Sequence, residues 1–311
     1  MMDPMDILKK TSTLLVPTAT STGYPSDTAF PTIIPDQPEF QGASQTGIRT
    51  LWVVFVVMTL ASAAFAAMSW TVKIQERRLY HVITTLITIT AAISYFGMAT
   101  KAGVSWKHDK VTEHHSKGIS PTHHDVYRQV YWARYVDWAI TTPLLLVDLM
   151  LLAGMNGGTM FMAIVADLIM IITGLFAAYG TTATQKWGWY TIACIAYLVV
   201  VWHLVIHGRA GAFGKSSSVG KFFVAIAGYT LLLWTAYPIV WGIADGSRIA
   251  TVDQEIIAYA VLDILAKPIF GAWLLTTHAK LADVHVDLGG FWSNGLSSQG
   301  RVRLGDDDEG A

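Results

Sequence analysis

The 311-residue chain is 53% hydrophobic and only 14% charged, where a soluble globular chain carries about a quarter charged residues. Its net charge of −1 offers no electrostatic footprint for nucleic acid, and its single cysteine excludes a disulfide framework within one chain. The charges gather at the two ends and in short connections, leaving long apolar stretches between them. Residues 1–45 are rich in Ser, Thr, Pro and Asp and show no basic start followed by an apolar core. They read as a disordered polar tail, not a cleavable signal. A membrane span needs about 20 mainly apolar residues, and seven stretches qualify: roughly 50–72, 80–100, 127–153, 158–180, 187–207, 219–243 and 254–278. Cys194 lies inside the fifth, where packing is its expected role. Residues 46–280 are therefore expected to form one domain, an all-α seven-transmembrane-helix bundle in a lipid bilayer. Residues 281–311, with a Gly/Ser stretch and the acidic run Asp306, Asp307, Asp308 and Glu309, read as a second solvated tail. Counting Lys and Arg gives seven on each side of the membrane, so positive-inside bias leaves the orientation open.

Ionisable residues within membrane spans are costly and mark functional sites by default. The third span holds Arg134, Asp137 and Asp148, the fourth Asp167, and the seventh Asp263 and Lys267. Asp263 and Lys267 are four apart and share a helix face. Asp137 and Asp148 are eleven apart, about 16 Å along a helix and about 20° from the same face. Thr141 joins that face. One helix thus presents a carboxylate near each end of a stripe, with Lys267 at a depth between them, and this spacing describes a proton path. Each residue also has a structural reading. Lys267 could be a plain bridge to Asp263, and Arg134 an interfacial anchor. Asp148 could be satisfied by a hydroxyl such as Thr84, and Asp167 by Thr142. All of them together at this spacing favour function.

Aromatic residues extend the pattern. Trp234, Tyr237 and Trp241 fall at i, i+3 and i+7 on one face. With Trp138 and Trp189 they offer enough flat surface to grip a long conjugated molecule, although such stripes are more often plain core. Pro238 is expected to kink this helix.

The strings ARYVDWAITTPLLLVDL, ADLIMIITG, LLLWTAYPIVWGI and LDILAKPIFG resemble helices C, D, F and G of the microbial (type 1) rhodopsins, most nearly the fungal proton-pumping opsins. The resemblance covers about 49–279 and leaves out both tails. It implies a central pocket for all-trans retinal, bound to Lys267 as a protonated Schiff base, and a light-driven outward proton pump, not an enzyme. It makes Asp137 the proton acceptor, Asp263 the second counter-ion and Asp148 the proton donor. Arg134 would couple the acceptor to the exit side, where Asp245 and Glu255 resemble a proton-release pair. Tyr95 and Tyr237 would bond Asp263. The implied retinal pocket comprises Tyr95, Trp138, Thr142, Leu145, Met170 and Gly174, together with Trp189, Trp234, Tyr237 and Trp241. The family's topology sets the N-terminus outside and the C-terminus in the cytoplasm, with the plasma membrane as the default location and a homo-oligomer among the expected partners. Pro268 departs from the archaeal pattern; lacking an amide donor and restricting its neighbour, it is expected to bulge the helix at Lys267.

A buried protonated Schiff base needs paired negative charge, which Asp137 and Asp263 supply. Asp148, surrounded in sequence by Leu144, Leu145, Leu146, Val147, Leu149 and Met150, is expected to hold a proton at rest. The carboxylate Asp137 argues against a halide pump, and Asp137, Thr141 and Asp148 together form the proton-pump pattern. A slow photosensor with little net transport is the alternative. A G-protein-coupled receptor lacks its DRY and NPxxY motifs here, and a secondary transporter lacks its inverted repeat. His108, His114, His115, His123 and His124 crowd the connection between the second and third spans; their spacing fits a pH-sensitive surface loop better than a metal motif.

Overall fold

The computed structural model describes residues 38–72, 75–113 and 122–280. Most of the expected N-terminal tail, all of 281–311, and His114 and His115 lie outside these residues. Each expected span is a helix: α1 (Gln45–Thr71), α2 (Gln75–Ala99), α3 (Trp132–Ala153), α4 (Gly157–Tyr179), α5 (Ala183–Lys215), α6 (Ser217–Gly246) and α7 (252–280). All seven are long and apolar enough to cross a membrane. Helix is the form these segments must take, because hydrocarbon offers the backbone no other hydrogen-bond partner.

Polar caps set the helix starts. Ser44, Asn156, Thr182 and Ser216 each accept a backbone N–H of the first turn. Thr251 and Gln254 form a reciprocal capping box at the start of α7. α3 ends at Gly154 with φ +67°, the left-handed conformation that glycine adopts without steric cost. Hydroxyls along the spans are satisfied locally: Thr84, Thr88, Thr141, Thr142 and Thr230 each donate to the carbonyl four residues back. The outer faces remain apolar, with Leu60 65%, Ile93 68% and Leu232 73% exposed in the absence of lipid.

The third helix begins at Trp132, five residues later than expected. Thr122–Val130 instead form strand β3, paired with β1 (Glu39–Gln41) and β2 (Ser105–Glu113) in the order β1-β3-β2. Hydropathy merges Val126, Tyr127 and Val130 with the span that follows; the strand becomes visible only through its partners. The connection expected as a loop thus contributes two paired strands, and Glu39–Gln41, assigned to the tail, are a strand.

The chain divides into two compact units, 1–40 with 106–128, and 41–105 with 129–311. In the first, the Phe40 ring stacks on Tyr127 at 5.1 Å, and His108 stacks on the same ring at 4.8 Å. His108 Nε2 lies 2.8 Å from Asp125 Oδ1. Among the described residues no group of three or more His, Cys, Asp or Glu could hold a metal ion. The second unit contains the helices.

Among the described residues, three π-helical turns interrupt the long helices, at His203–Gly208 in α5, Gly242–Gly246 in α6 and Leu265–Ile269 in α7. The last contains Lys267 and Pro268, where the sequence predicts a bulge. Pro268 has no N–H to offer the preceding turn, and the widened turn takes its bond from Phe270 N–H to the Leu265 carbonyl. Just beyond it, α7 packs so closely that a Cβ on Gly271 would collide with Thr84 and lie 3.0 Å from Phe65 Cε2. Gly271→Val should therefore destabilise the bundle by about 1–3 kcal/mol, read as a lower Tm of the purified protein.

Candidate functional site at Lys267

α3 and α7 carry the buried charges, and their facing sides bring them together. Lys267 is 2% exposed, and its Nζ donates to Asp137 Oδ2 at 2.6 Å and to Asp263 Oδ1 at 3.1 Å. Asp263 also accepts from Tyr95 OH at 2.7 Å and Tyr237 OH at 2.8 Å, so its two oxygens hold three donors. Asp137 is less fully bonded: Oδ2 accepts from Lys267, while Oδ1 is buried without a hydrogen-bond partner. The Thr141 hydroxyl donates to the Asp137 backbone carbonyl at 2.9 Å.

One turn before Asp137, Arg134 Nη1 donates to Glu255 Oε1 at 2.7 Å, and its guanidinium lies 4.3 Å over the Tyr259 ring. Both members of this ion pair are buried. Asp245 is buried in the π-turn that ends α6. Asp148 lies eleven residues further along α3. Asp148 is fully buried, neither carboxyl oxygen has a hydrogen-bond partner, and Leu146, Leu149 and Met150 around it are equally buried. The Thr84 hydroxyl goes to the Tyr80 carbonyl, so the reading of Thr84 as the partner of Asp148 fails.

Beside Lys267 runs a cavity with aromatic walls. Eight of the residues expected there line it: Trp138, Thr142, Leu145, Met170, Gly174, Trp234, Tyr237 and Trp241. Lys267, Asp263 and Ala266 close one wall. Tyr95 is not a lining residue and reaches Asp263 instead. Trp189 is corrected: it is 37% exposed and packs edge-on against Phe176 at 5.2 Å, outside the cavity. The next residue, Tyr190, takes the wall position and stacks on Trp241 at 4.9 Å with 18° between planes. One residue turns a helix by about 100°, enough to exchange the lipid face for the pocket. The missed wall is Tyr190, Ala193, Cys194 and Tyr197. Their i, i+3, i+4, i+7 spacing was visible in the sequence, but a stripe with two small members does not look like a cage. Tyr135, Ile171, Pro238 and Tyr259 complete the lining.

These residues fit retinal. A primary amine stands in the wall of a narrow, mostly apolar slot, two carboxylates compensate its charge, and Gly174 contributes no side chain where a long rigid ligand would need room.

Asp167 Oδ2 lies 2.7 Å from Thr142 Oγ1, itself 2.7 Å from the Trp138 carbonyl. One hydroxyl hydrogen cannot fully serve both acceptors. The hydroxyl can keep its bond to the carbonyl and still bond Asp167 only when Asp167 carries the second proton, which is the arrangement expected here. Infrared spectra should accordingly show a protonated-carboxyl band that disappears in Asp167→Asn and shifts in Thr142→Val; an unchanged spectrum in both would contradict this arrangement.

The chain resembles known proteins along most of its length. Residues 46–281 match the family described as bacteriorhodopsin-like protein. The chain is 50% identical over 297 residues to Opsin-1 of Neurospora crassa, covering 95% of this chain and 97% of that protein. Against archaerhodopsin-2 of a Halobacterium species it is 35% identical over 238 residues, covering 76% of this chain and 87% of the other. Among solved structures, a light-driven proton pump from Leptosphaeria maculans is 62% identical with a TM-score of 0.77, covering 79% of this chain and 100% of that one. The light-driven proton pump of Coccomyxa subellipsoidea is 37% identical with a TM-score of 0.68, covering 77% and 100%. The chain belongs to the bacteriorhodopsin-like family, and is a seven-helix integral membrane protein built to bind retinal.

Proposed function

We propose that the protein is a light-driven outward proton pump, with all-trans retinal on Lys267, the N-terminus outside and the plasma membrane as its site. The observation that carries this reading is the asymmetry around Nζ: carboxylates in hydrogen-bond reach on one side, and a buried, unpartnered carboxyl, Asp148, in the apolar half of the same helix. The Leptosphaeria and Coccomyxa relatives, both light-driven proton pumps, support it.

Bound at Lys267 Nζ, retinal supplies visible absorption and a light-driven isomerisation. The residues do the rest. Asp137, whose Oδ2 already accepts from Nζ at 2.6 Å, takes the proton, while Asp263 keeps its charge because three donors satisfy it. Charge gained or lost at Asp137 is felt by Arg134 one turn away, and the Arg134–Glu255 pair with Asp245 passes a proton to the exit side. Asp148 then returns a proton to Nζ, and the apolar residues around it keep water from short-circuiting the path. Export against a potential of 100 mV costs about 2.3 kcal/mol per proton, far below the energy of visible light.

The test is illumination of cells expressing the protein with retinal, with and without a protonophore. External acidification that the protonophore abolishes is expected; visible absorbance with no pH change would instead indicate a sensor. Asp137→Asn should eliminate transport. Asp148→Asn should slow reprotonation of Nζ roughly a hundredfold, the lower range of a positioned proton donor, as measured by flash photolysis. Glu255→Gln should delay proton release, and a pH-indicator dye that already reports only late release in the unaltered protein would count against the exit pair.

A further inference from the structure

α5 continues beyond what the bilayer needs. Its apolar run, 187–206, is twenty residues, about 30 Å of helix and enough to cross the hydrocarbon core. His203 lies in the last turn of that run and His207 just past it, at the end of the bundle that also holds Asp148. Both lie in the π-helical turn His203–Gly208. The proton path described above uses neither, and nothing in the packing requires an imidazole here: His207 is exposed and His203 half-buried.

Three observations converge on this pair. The ring centroids lie 5.4 Å apart, within the span one ion could bridge once His207 turns about its side-chain bonds. The spacing is i, i+4, by which a single helix offers two imidazoles to zinc in metalloprotease motifs. The third is the decisive one. His203 Nδ1 lies 2.8 Å from the Val199 backbone carbonyl. A carbonyl can only accept, so Nδ1 carries the hydrogen, and in the neutral ring the lone pair is left on Nε2. Metal-binding histidines are oriented in the same way, donating one ring N–H to a carbonyl or carboxylate while the other nitrogen ligates. The nearest cation in sequence, Arg209, has its guanidinium 5.8 Å over the Phe213 ring, one turn further along.

We propose that His203 and His207 form a site for a divalent transition-metal ion of the Zn²⁺, Ni²⁺ or Cu²⁺ class at this end of α5. Two imidazoles suit these borderline ions and give no advantage to the hard cations Mg²⁺ and Ca²⁺, which take oxygen ligands. Water or lipid headgroup oxygens complete the coordination, because the site opens outward from the helix.

The test is a calorimetric Ni²⁺ titration of the purified retinal-bound full chain in detergent, without chelating buffers. It compares the unaltered protein with His207→Ala and with His203→Gln, using the visible band to verify that each variant is folded. The histidines of the β2–β3 connection are common to all three, so differences report on this pair. The unaltered protein should bind one Ni²⁺ per chain more than either variant, or bind it at least about tenfold more tightly, in line with the 10–100-fold loss seen when only an outer-shell partner of a metal ligand is removed. Excess Mg²⁺ should not displace it. Equal stoichiometry and affinity in all three proteins, or displacement by Mg²⁺, would overturn the proposal. The titration reads metal and not light, so its failure would leave the pump reading untouched.

Discussion

A primary amine with no access to water dictates the organisation of this bundle. Lys267 can remain charged inside a low-dielectric interior only with opposite charge in contact, and Asp137 and Asp263 provide it. Asp263 must in turn be satisfied, which draws the hydroxyl of Tyr95 from α2 and that of Tyr237 from α6. Four helices are thereby pinned around one nitrogen. Removing one partner of such a pair leaves a buried charge uncompensated, at a cost of about 3–5 kcal/mol, so the chemistry and the packing of α2, α3, α6 and α7 rest on the same bonds.

The second buried pair, Arg134 with Glu255, repeats this cross-link between α3 and α7. With the Tyr259 and Tyr131 rings beside the guanidinium, it makes one half of the bundle polar. The half around Asp148 has no comparable network among the described residues. In the proposed pumping cycle, that difference is what gives direction to the helix pair.

Tyrosines also secure the places where the helices depart from regularity. Tyr229 donates to the Leu265 carbonyl at 3.0 Å, at the start of the π-turn that carries Lys267. Tyr190 donates to the Pro238 carbonyl at 3.0 Å, and Tyr197 to the Leu231 carbonyl at 3.0 Å, tying α5 to the proline-containing stretch of α6. These phenol donors tie the stretches around Pro238 and the wide turn at Lys267 to neighbouring helices, in an interior where the backbone has no water to bond.

Much of this was legible in the sequence. Seven apolar runs of spanning length follow from composition alone, because hydrocarbon thickness sets one length for all of them. The charges at 134, 137, 148, 263 and 267 identify the site, because ionisable residues are too costly in a membrane to be incidental, and the bulge at Pro268 follows from a missing N–H. Other features could be settled only by the fold. Val126 and Val130 belong to a strand and not to the third span, since pairing with β1 and β2 is a long-range event. Trp189 faces outward and Tyr190 inward, because a rotation of one residue depends on how α5 docks against α4 and α6. Which oxygen of Asp263 meets which tyrosine, and which oxygen of Asp137 is left without a donor, were likewise decided by tertiary packing, since those bonds join residues as many as 168 positions apart. The sequence by itself determined which residues had to be buried and charged; the folded bundle decided which of them touch, because contact depends on helix rotation and register that no local pattern specifies.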